Sequence, residues 1–153
     1  MTTVAEPELQ VVSDGVVTLK PSCPGDAQLL VARRDEEFFR WLGPGAEEPC
    51  PSACIWVRGE LVGWVDYDRE PEHDWLGPGE VNVGYYLFPG ARGKGYASRA
   101  VELLLQHLGR HTKHTVATLV IWPENTRSLA LAHRLGFLQK GELEGGLFFA
   151  RDV

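Results

Sequence analysis

The chain has 153 residues, of which 44% are hydrophobic and 24% are charged. This length and composition predict one folded domain over residues 1–153 and exclude a disordered protein. Fifteen lysines and arginines oppose 21 aspartates and glutamates, so the formal net charge is -6 at pH 7. A general nucleic-acid-binding protein needs basic surface for phosphate contacts, and the acidic balance argues against one.

The beginning of the chain lacks the features of a targeting or membrane segment. Residues 1–8 contain no positively charged or apolar stretch, so no signal peptide is predicted, and no apolar run has the length of a membrane span. We therefore expect a cytoplasmic protein that acts away from membranes as a monomer or homodimer, with residues 1–15 as a flexible segment. Its three cysteines, Cys23, Cys50 and Cys54, lack the spacing of a zinc site and are expected to be reduced thiols.

In the first half of the chain, one short strand precedes two helices and a hairpin. Residues 16–20 are the predicted strand, and Asp26 and Asp35 are the predicted caps of the two helices. Glycine and proline clusters then break the helical pattern into a loop. Residues 53–58 and 60–67 follow this loop as the predicted hairpin.

In the second half, strands alternate with two amphipathic helices. An exposed loop, residues 69–79, leads into a strand over residues 81–88. Helical spacing of apolar side chains begins after Gly95. Residues 115–122, which are rich in β-branched side chains, are the next predicted strand.

A last helix and a closing hairpin complete the predicted elements. Asn125 or Thr126 is the predicted N-cap of this helix, and Gly136 stands where a left-handed residue is expected after its end. Residues 137–140 and 147–151 are the strands of the hairpin. This order of strands and helices predicts a mixed α/β fold.

Charge is unevenly distributed along the sequence. Seven acids and one base, Arg69, fall between Glu60 and Glu80. Eight bases and two acids fall between Arg92 and Lys140. The two segments form either two solvated faces that differ in charge, or one surface for an anionic ligand and another for a cationic one.

The most informative stretch is the turn that joins the strand at residues 81–88 to the following helix. Its glycines, Gly93 and Gly95, let backbone N–H groups converge on a ligand, and the positive end of the helix dipole favours an anion. Arg92 and Lys94 add full positive charges. The turn is therefore predicted to bind a phosphate or pyrophosphate, with a helix entry that holds no ligand as the alternative.

This turn resembles the signature of a known enzyme family. Arg92-Gly-Lys-Gly-Tyr-Ala97 resembles the Arg/Gln-x-x-Gly-x-Gly/Ala signature of the GNAT superfamily of acetyl-CoA-dependent N-acetyltransferases. Glu124-Asn-Thr-Arg-Ser128 and Leu135-Gly-Phe137 are similar to its ribosomal-protein N-terminal acetyltransferase-like branch. The resemblance implies a GNAT fold, in which helices flank a central, mostly antiparallel twisted sheet.

The resemblance also implies how acetyl-CoA would be bound. Its pyrophosphate would contact the backbone of residues 93–98, and its pantetheine arm would pair with residues 85–87, where that strand bends away from its neighbour. The N–H group of Leu87 would polarise the thioester carbonyl. The residues implied to contact acetyl-CoA are Tyr85, Tyr86, Leu87, Arg92, Gly93, Lys94, Gly95, Tyr96, Ala97, Ser98, Asn125 and Ser128.

The general acid of the implied reaction departs from the family pattern. Many members carry a tyrosine as general acid where this chain has Ala132. Ser128, one turn earlier, is therefore expected to take the place of the acid by donating a hydrogen bond to the leaving sulfur, directly or through water. Helix capping beside Asn125 is the alternative role of Ser128.

The general base departs from the pattern as well. Many relatives carry a carboxylate where this chain has Asn82. Glu80 lies two residues earlier on the same strand face and is expected to act as the base through water. Asp66 and Asp68, on the facing strand, are its rivals.

The implied reaction is direct transfer of an acetyl group from CoA to a primary amine. An α-amine with a pKa of about 7.7–8.0 is neutral at pH 7 far more often than a lysine amine near about 10.4, so it needs a weaker base. We therefore expect a protein or peptide N-terminal α-amine as the cationic acceptor, with an aminoglycoside or polyamine, or an inactive CoA-binding module, as alternatives. No metal is expected, because His107, His111 and His114 lack an accompanying glutamate.

Overall fold

A computed structural model describes residues 8–69 and 73–153 and contains one eight-stranded sheet with the order β1-β2-β3-β4-β5-β6-β8-β7. All neighbouring strands are antiparallel except β5 and β6, which are parallel. The strands are β1 (Val12–Ser13), β2 (Thr18–Lys20), β3 (Ala53–Val57), β4 (Glu60–Asp68), β5 (Glu80–Leu87), β6 (Val116–Ile121), β7 (Leu138–Leu143) and β8 (Gly146–Asp152). The expectation of a mixed α/β fold with a mostly antiparallel sheet is confirmed.

Four α-helices and one 3₁₀ turn connect these strands. They are α1 (Asp26–Ala32), α2 (Glu36–Leu42), the 3₁₀ turn (Pro89–Ala91), α3 (Tyr96–His111) and α4 (Thr126–Arg134). The crossover between the parallel strands β5 and β6 contains α3, as the parallel connection requires. Among the described residues, no helix has both the length and the apolar character that crossing a membrane requires.

Strand alternation turns the two faces of β5 toward different helices. On one face, Val81 and Leu87 join the main core, which includes the buried side of α3. On the other face, Tyr86 packs in a second cluster with Leu30 of α1 and Phe38 of α2. The last residues of β5 are therefore held from both faces of the sheet.

Two expectations for the first part of the chain need correction. Helix α1 has Gly25 at its N-cap, and Asp26 is its first residue, whose carboxylate accepts from the N–H of Cys23 at 2.9 Å. Of the segment expected to be flexible, residues 1–7 lie outside the described residues. The remainder contains β1, which pairs with β2, and the side chain of Leu9, which is buried. Leu9 and β1 are therefore packed against the rest of the fold.

The other helix caps agree with the sequence-based expectation. Asp35 is the N-cap of α2, and its carboxylate accepts from the N–H of Phe38 at 3.1 Å. Gly136 follows α4 with φ of +78°. Part of the loop expected to be exposed, residues 70–72, lies outside the described residues. In the rest of that loop Trp75 is half-buried, so full exposure is wrong for this side chain.

An ion-paired network ties α2 to the end of β5. Both terminal nitrogens of Arg92 donate to the Asp35 carboxylate, at 2.8 and 3.1 Å, and the hydroxyl of Tyr86 donates to the same carboxylate at 2.8 Å. Nε of Arg92 donates to the backbone oxygen of Leu87 at 3.1 Å. The hydrogen bond from Arg92 holds the pKa of Asp35 far below its usual range, while burial, with the neighbouring Asp35 carboxylate, raises the pKa of Tyr86 to about 12.

This network makes a pH-dependent contribution to stability. Because the folded pKa of Asp35 lies below its unfolded value near 3.8, the contribution is complete above that value and is lost as the pH falls toward the folded pKa. We expect Asp35→Asn to cost about 2 kcal/mol at pH 7 and progressively less below about pH 4. Urea unfolding of both proteins at several pH values measures the difference.

The matched control is Asp152→Asn, which removes an exposed carboxylate at the end of β8. This variant should show no comparable pH-dependent difference from the unsubstituted protein. A cost of Asp35→Asn that stays constant between acid and neutral pH would contradict the charge-based role of Asp35.

Candidate active site

The site is organised by an opening between β5 and β6, which we call the β5–β6 opening. Within the described strands, these two pair at only three positions, from Glu80 opposite Val116 to Asn82 opposite Thr118. Beyond that point β5 stays paired with β4 as far as Leu87, whereas β6 continues beside β8. The facing backbone edges of β5 and β6 are therefore left for a ligand that pairs as an extended strand. The expected divergence of the strand from its neighbour is present in the structure.

The backbone direction of β5 can be read from its far side. The N–H of Phe88 donates to the backbone oxygen of Val62 at 2.8 Å, on the β4 side. Because N–H groups alternate in direction along a strand, the N–H of Leu87 points into the β5–β6 opening. The backbone oxygen of Leu87, in the peptide that follows this N–H group, accepts from Nε of Arg92, so the backbone is held on the carboxyl side of Leu87.

An exposed turn rich in glycine follows β5 and begins α3. Gly93 and Gly95 have φ of +77° and +81°, and a Cβ atom at either position would meet nothing within 4 Å. Glycine is therefore needed for its backbone conformation rather than for lack of space. Gly95 is the N-cap of the 16-residue helix α3 and offers no capping side chain, so the first N–H groups of α3 are available to an anion.

The charges around this turn differ from the expectation. The guanidinium of Arg92 is occupied by Asp35 and by Glu37, the latter at 3.0 Å, instead of standing free beside the turn. Lys94 is exposed in this turn. Arg134, in the last turn of α4, donates to the hydroxyl of Ser98 at 2.6 Å. The sequence did not indicate a role for Arg134 at this turn. A basic residue in the last turn of a helix is common, and its contact with Ser98 is visible only in the structure.

The amino end of α4 contacts β5 across the β5–β6 opening. Asn125 caps α4 by accepting from the backbone N–H of Ser128 at 3.3 Å, which leaves the Ser128 hydroxyl free for another partner. That partner is the hydroxyl of Tyr85, at 2.5 Å. Burial raises the pKa of Tyr85, and its hydrogen bond to Ser128 partly opposes the shift. The structure thus brings together Tyr85, Asn125 and Ser128, which the family resemblance placed among the residues expected to contact acetyl-CoA.

Glu80, whose carboxylate is the expected base, forms hydrogen bonds with the loop that precedes β5. Glu80 starts β5, and its carboxylate accepts from the N–H of Gly77 at 2.6 Å. A side-chain nitrogen of Arg69 donates to the backbone oxygens of Glu80 and Gly77. Glu80 pairs with Val116, at the end of the β5–β6 ladder that is farther from the opening. Its present contacts are those of a residue that closes the preceding loop.

Asp66 is the carboxylate placed nearest to the β5–β6 opening on the neighbouring strand. It lies opposite Gly84, beyond the last β5–β6 pair, and one of its oxygens accepts from the backbone N–H and the hydroxyl of Ser52 at 2.8 and 2.7 Å. Burial raises the pKa of Asp66. Asp68 lies opposite Asn82, and one of its carboxylate oxygens lies 2.6 Å from Nδ1 of His73.

Two further features of the described residues concern metal binding and the cysteine thiols. They contain no group of three or more histidine, cysteine, aspartate or glutamate side chains placed to hold a metal ion. Cys23, Cys50 and Cys54 are unpaired thiols. Burial raises the pKa of Cys54 to about 12, so this thiol stays protonated and is a poor nucleophile.

Comparison with known proteins gives one family and several structural neighbours. Residues 46–138 match the family model described as an acetyltransferase (GNAT) domain. The spermine/spermidine N(1)-acetyltransferase of Bacillus subtilis (strain 168) is 30% identical over 98 residues. That match covers 59% of this chain and 60% of the relative, so the chain spans less than two thirds of the length of this curated protein.

Solved structures with the same fold act on different amines. RimL, a ribosomal-protein α-N-acetyltransferase in complex with coenzyme A, superposes with a TM-score of 0.76 and 17% identity, covering 94% of this chain and 97% of that one. The aminoglycoside acetyltransferase AAC(6')-Ib, in complex with coenzyme A and kanamycin, gives a TM-score of 0.73 and 17% identity, covering 89% and 94%. At 17% identity, these structural similarities establish the fold of this chain and not its substrate.

The cap of α4 gives a prediction that does not depend on a ligand. We expect Asn125→Ala to cost about 1 kcal/mol, because the N–H of Ser128 loses its acceptor at a helix terminus. Thermal unfolding should show a fall in Tm of about 2–4 °C. Asn125→Asp, which keeps the accepting oxygen, should remain close to the unsubstituted protein, and equal losses in the two variants would contradict the capping role.

Proposed function

Because the chain belongs to the acetyltransferase (GNAT) domain family, we propose that it is an acetyl-CoA-dependent enzyme that transfers an acetyl group to a primary amine. The observation that carries this proposal is the β5–β6 opening beside the amino end of α3. One feature offers unpaired strand edges, and the other offers N–H groups to an anion. Together they fit a ligand with amide groups in its arm and a pyrophosphate at one end.

The chain's residues would divide the binding of acetyl-CoA between charge and backbone. The N–H groups that follow Gly95 would hold the pyrophosphate, with Lys94 beside them as the exposed cation. The edge of β5 would pair with the amides of the pantetheine arm, and Asn125 and Ser128 would flank it from α4. Tyr86 and Arg92 would act indirectly, because their side chains bind Asp35 and so hold the end of β5 in place.

The N–H of Leu87 is the proposed donor to the thioester carbonyl. It points into the β5–β6 opening, and Arg92 fixes the adjacent peptide through the backbone oxygen of Leu87. A donor held in place before the reaction stabilises the negative charge that develops on the carbonyl oxygen without reorganisation. The remaining residues expected to contact acetyl-CoA, Tyr96, Ala97 and Ser98, form the first turn of α3.

The acceptor amine would be attracted to the site by the carboxylates of β4. Asp66 lies opposite Gly84 beside the β5–β6 opening, and we favour it over Glu80 as the group that attracts the ammonium form and accepts a proton through water. A half-buried carboxylate is a modest base, which suits an α-amine, since about one such amine in ten is already neutral at pH 7. A protein or peptide N-terminus is therefore the first candidate acceptor.

A polyamine is the second candidate acceptor. The observation in its favour is the 30% identity to a spermine/spermidine N(1)-acetyltransferase over 98 residues. The carboxylates of β4, Asp66 and Asp68, suit the several positive charges of such a substrate. A polyamine nitrogen is more basic than an α-amine and must lose its proton before it attacks. Such a substrate therefore requires a stronger general base.

The turn before α3 gives a direct test of acetyl-CoA binding. We expect CoA to bind at sub-millimolar concentration in isothermal titration, and Gly95→Asp to bind it about tenfold more weakly than Gly95→Asn, because a carboxylate repels an anion at a helix amino end. Both variants carry the same strain at φ of +81°, about 1 kcal/mol, so the comparison isolates the charge. Equal affinities would remove the turn as the phosphate site.

The acceptor is identified by measuring thiol release from acetyl-CoA with peptides, polyamines and aminoglycosides. We expect the highest kcat/KM with a peptide α-amine, and a loss of about tenfold in Asp66→Asn, because the amine loses its carboxylate partner. Asp74→Asn, in an exposed part of the loop before β5, is the matched control and should retain activity. Preference for spermine would select the second candidate, and CoA binding without thiol release would indicate an inactive CoA-binding module.

A further inference from the structure

The two positions of α4 considered for the general acid, Ala132 and Ser128, do not by themselves supply the proton needed by a leaving thiolate. Ala132, which stands where the family commonly has tyrosine, is fully buried and carries no proton to donate. Ser128, one turn earlier, has a hydroxyl, but an aliphatic alcohol is a very weak acid. If Ser128 acted alone, protonation of the sulfur would leave a high-energy alkoxide. A second group is needed to supply the proton through Ser128.

The hydroxyl of Tyr85 is placed to supply that proton. It lies 2.5 Å from Oγ of Ser128, a short distance for two hydroxyls. Tyr85 follows the last β5–β6 pair, at Asn82 and Thr118, and α4 is the helix that follows β6. The hydrogen bond therefore joins the two sides of the β5–β6 opening, where the pantetheine arm would end.

The neighbouring tyrosine cannot perform this role in the present arrangement. Tyr86 faces the opposite side of the sheet, where its hydroxyl donates to Asp35 at 2.8 Å. Tyr85 instead packs beside the main core, where burial raises its pKa and keeps the phenol protonated at neutral pH. A phenol is nevertheless a much stronger acid than an aliphatic hydroxyl, so Tyr85 is the better ultimate donor of the pair.

We propose that Tyr85 and Ser128 form a two-hydroxyl proton relay to the sulfur of CoA, in the acetyl transfer proposed above. As the amine nitrogen bonds to the carbonyl carbon, the carbon–sulfur bond breaks and its electron pair goes to sulfur. Ser128 gives its proton to that sulfur and takes one from Tyr85. The phenolate of Tyr85 is reprotonated from water, which receives the proton lost by the amine. Ser128 is the catalytic residue of the relay, and Tyr85 is a positioning residue that acts through it.

The first test compares acyl donors that differ in their need for a proton. With acetyl-CoA, Tyr85→Phe should lower kcat about 100-fold and change KM by less than about threefold. With para-nitrothiophenyl acetate, whose thiolate leaves without protonation, kcat/KM of the variant should stay within about threefold of the unsubstituted protein. Ser128→Ala should show the same dependence on the donor, and the double variant should be no slower than Ser128→Ala, because the two residues act as a unit.

A second measurement leaves the shape of the side chain nearly unchanged. Fluorinated tyrosine incorporated at position 85 acidifies the phenol, so the decline of kcat at alkaline pH should move to lower pH. A purely structural role of Tyr85 would not move this limb of the profile. Tyr67→Phe, which removes a phenol hydroxyl from the neighbouring strand β4, is the matched control and should keep kcat within about threefold.

The outcomes separate the relay from the reaction on which it rests. If the unsubstituted protein acetylates an amine but Tyr85→Phe retains kcat, or loses activity equally with both donors, the relay is overturned and the proposed function stands. An unchanged alkaline limb with the fluorinated residue also overturns the relay, even if Tyr85→Phe fails to fold. Absence of turnover with every amine overturns the proposed function and the relay together.

Discussion

The unequal pairing of β5 is the constraint on which the site depends. The strand keeps its antiparallel ladder with β4 as far as Leu87 but pairs with β6 for only three residues. The remaining edge of β5 is stable without a neighbouring strand because its other edge is bonded and its two faces pack against different clusters. An unpaired edge thus sits in a firmly held strand, which is the condition for binding an extended ligand without first ordering the site.

The Asp35–Arg92 network holds this strand and the turn that follows it. Arg92 belongs to the sequence signature, yet its side chain is only 14% exposed, and its guanidinium binds Asp35, Glu37 and the backbone oxygen of Leu87. Its contribution is to fix a peptide and a helix terminus. In the proposed site, the attraction for an anion would fall instead to backbone N–H groups, to Lys94 and to the cation of Arg134 beside the first turn of α3.

Features set by local chemistry could be predicted from the sequence, and features set by distant partners could not. The caps at Asp35 and Asn125 and the glycine turn follow from a few neighbouring residues. The partner of Arg92 lies 57 residues away, and the partner of Tyr85 lies 43 residues away. The expected role of Glu80 illustrates the same limit. Strand alternation gives its face correctly, but its hydrogen bond to Gly77 depends on how the loop folds back.

The three-residue ladder between β5 and β6 also has a mechanical meaning. It is the seam between two half-sheets, β1–β5 and β6–β8, whose other ladders are mostly longer. A ligand bound between β5 and β6 and hydrogen-bonded to both strands would link the two half-sheets. Part of its binding free energy would then appear as cohesion of the whole sheet, and the folded protein would become harder to unfold as the cellular supply of that ligand rises.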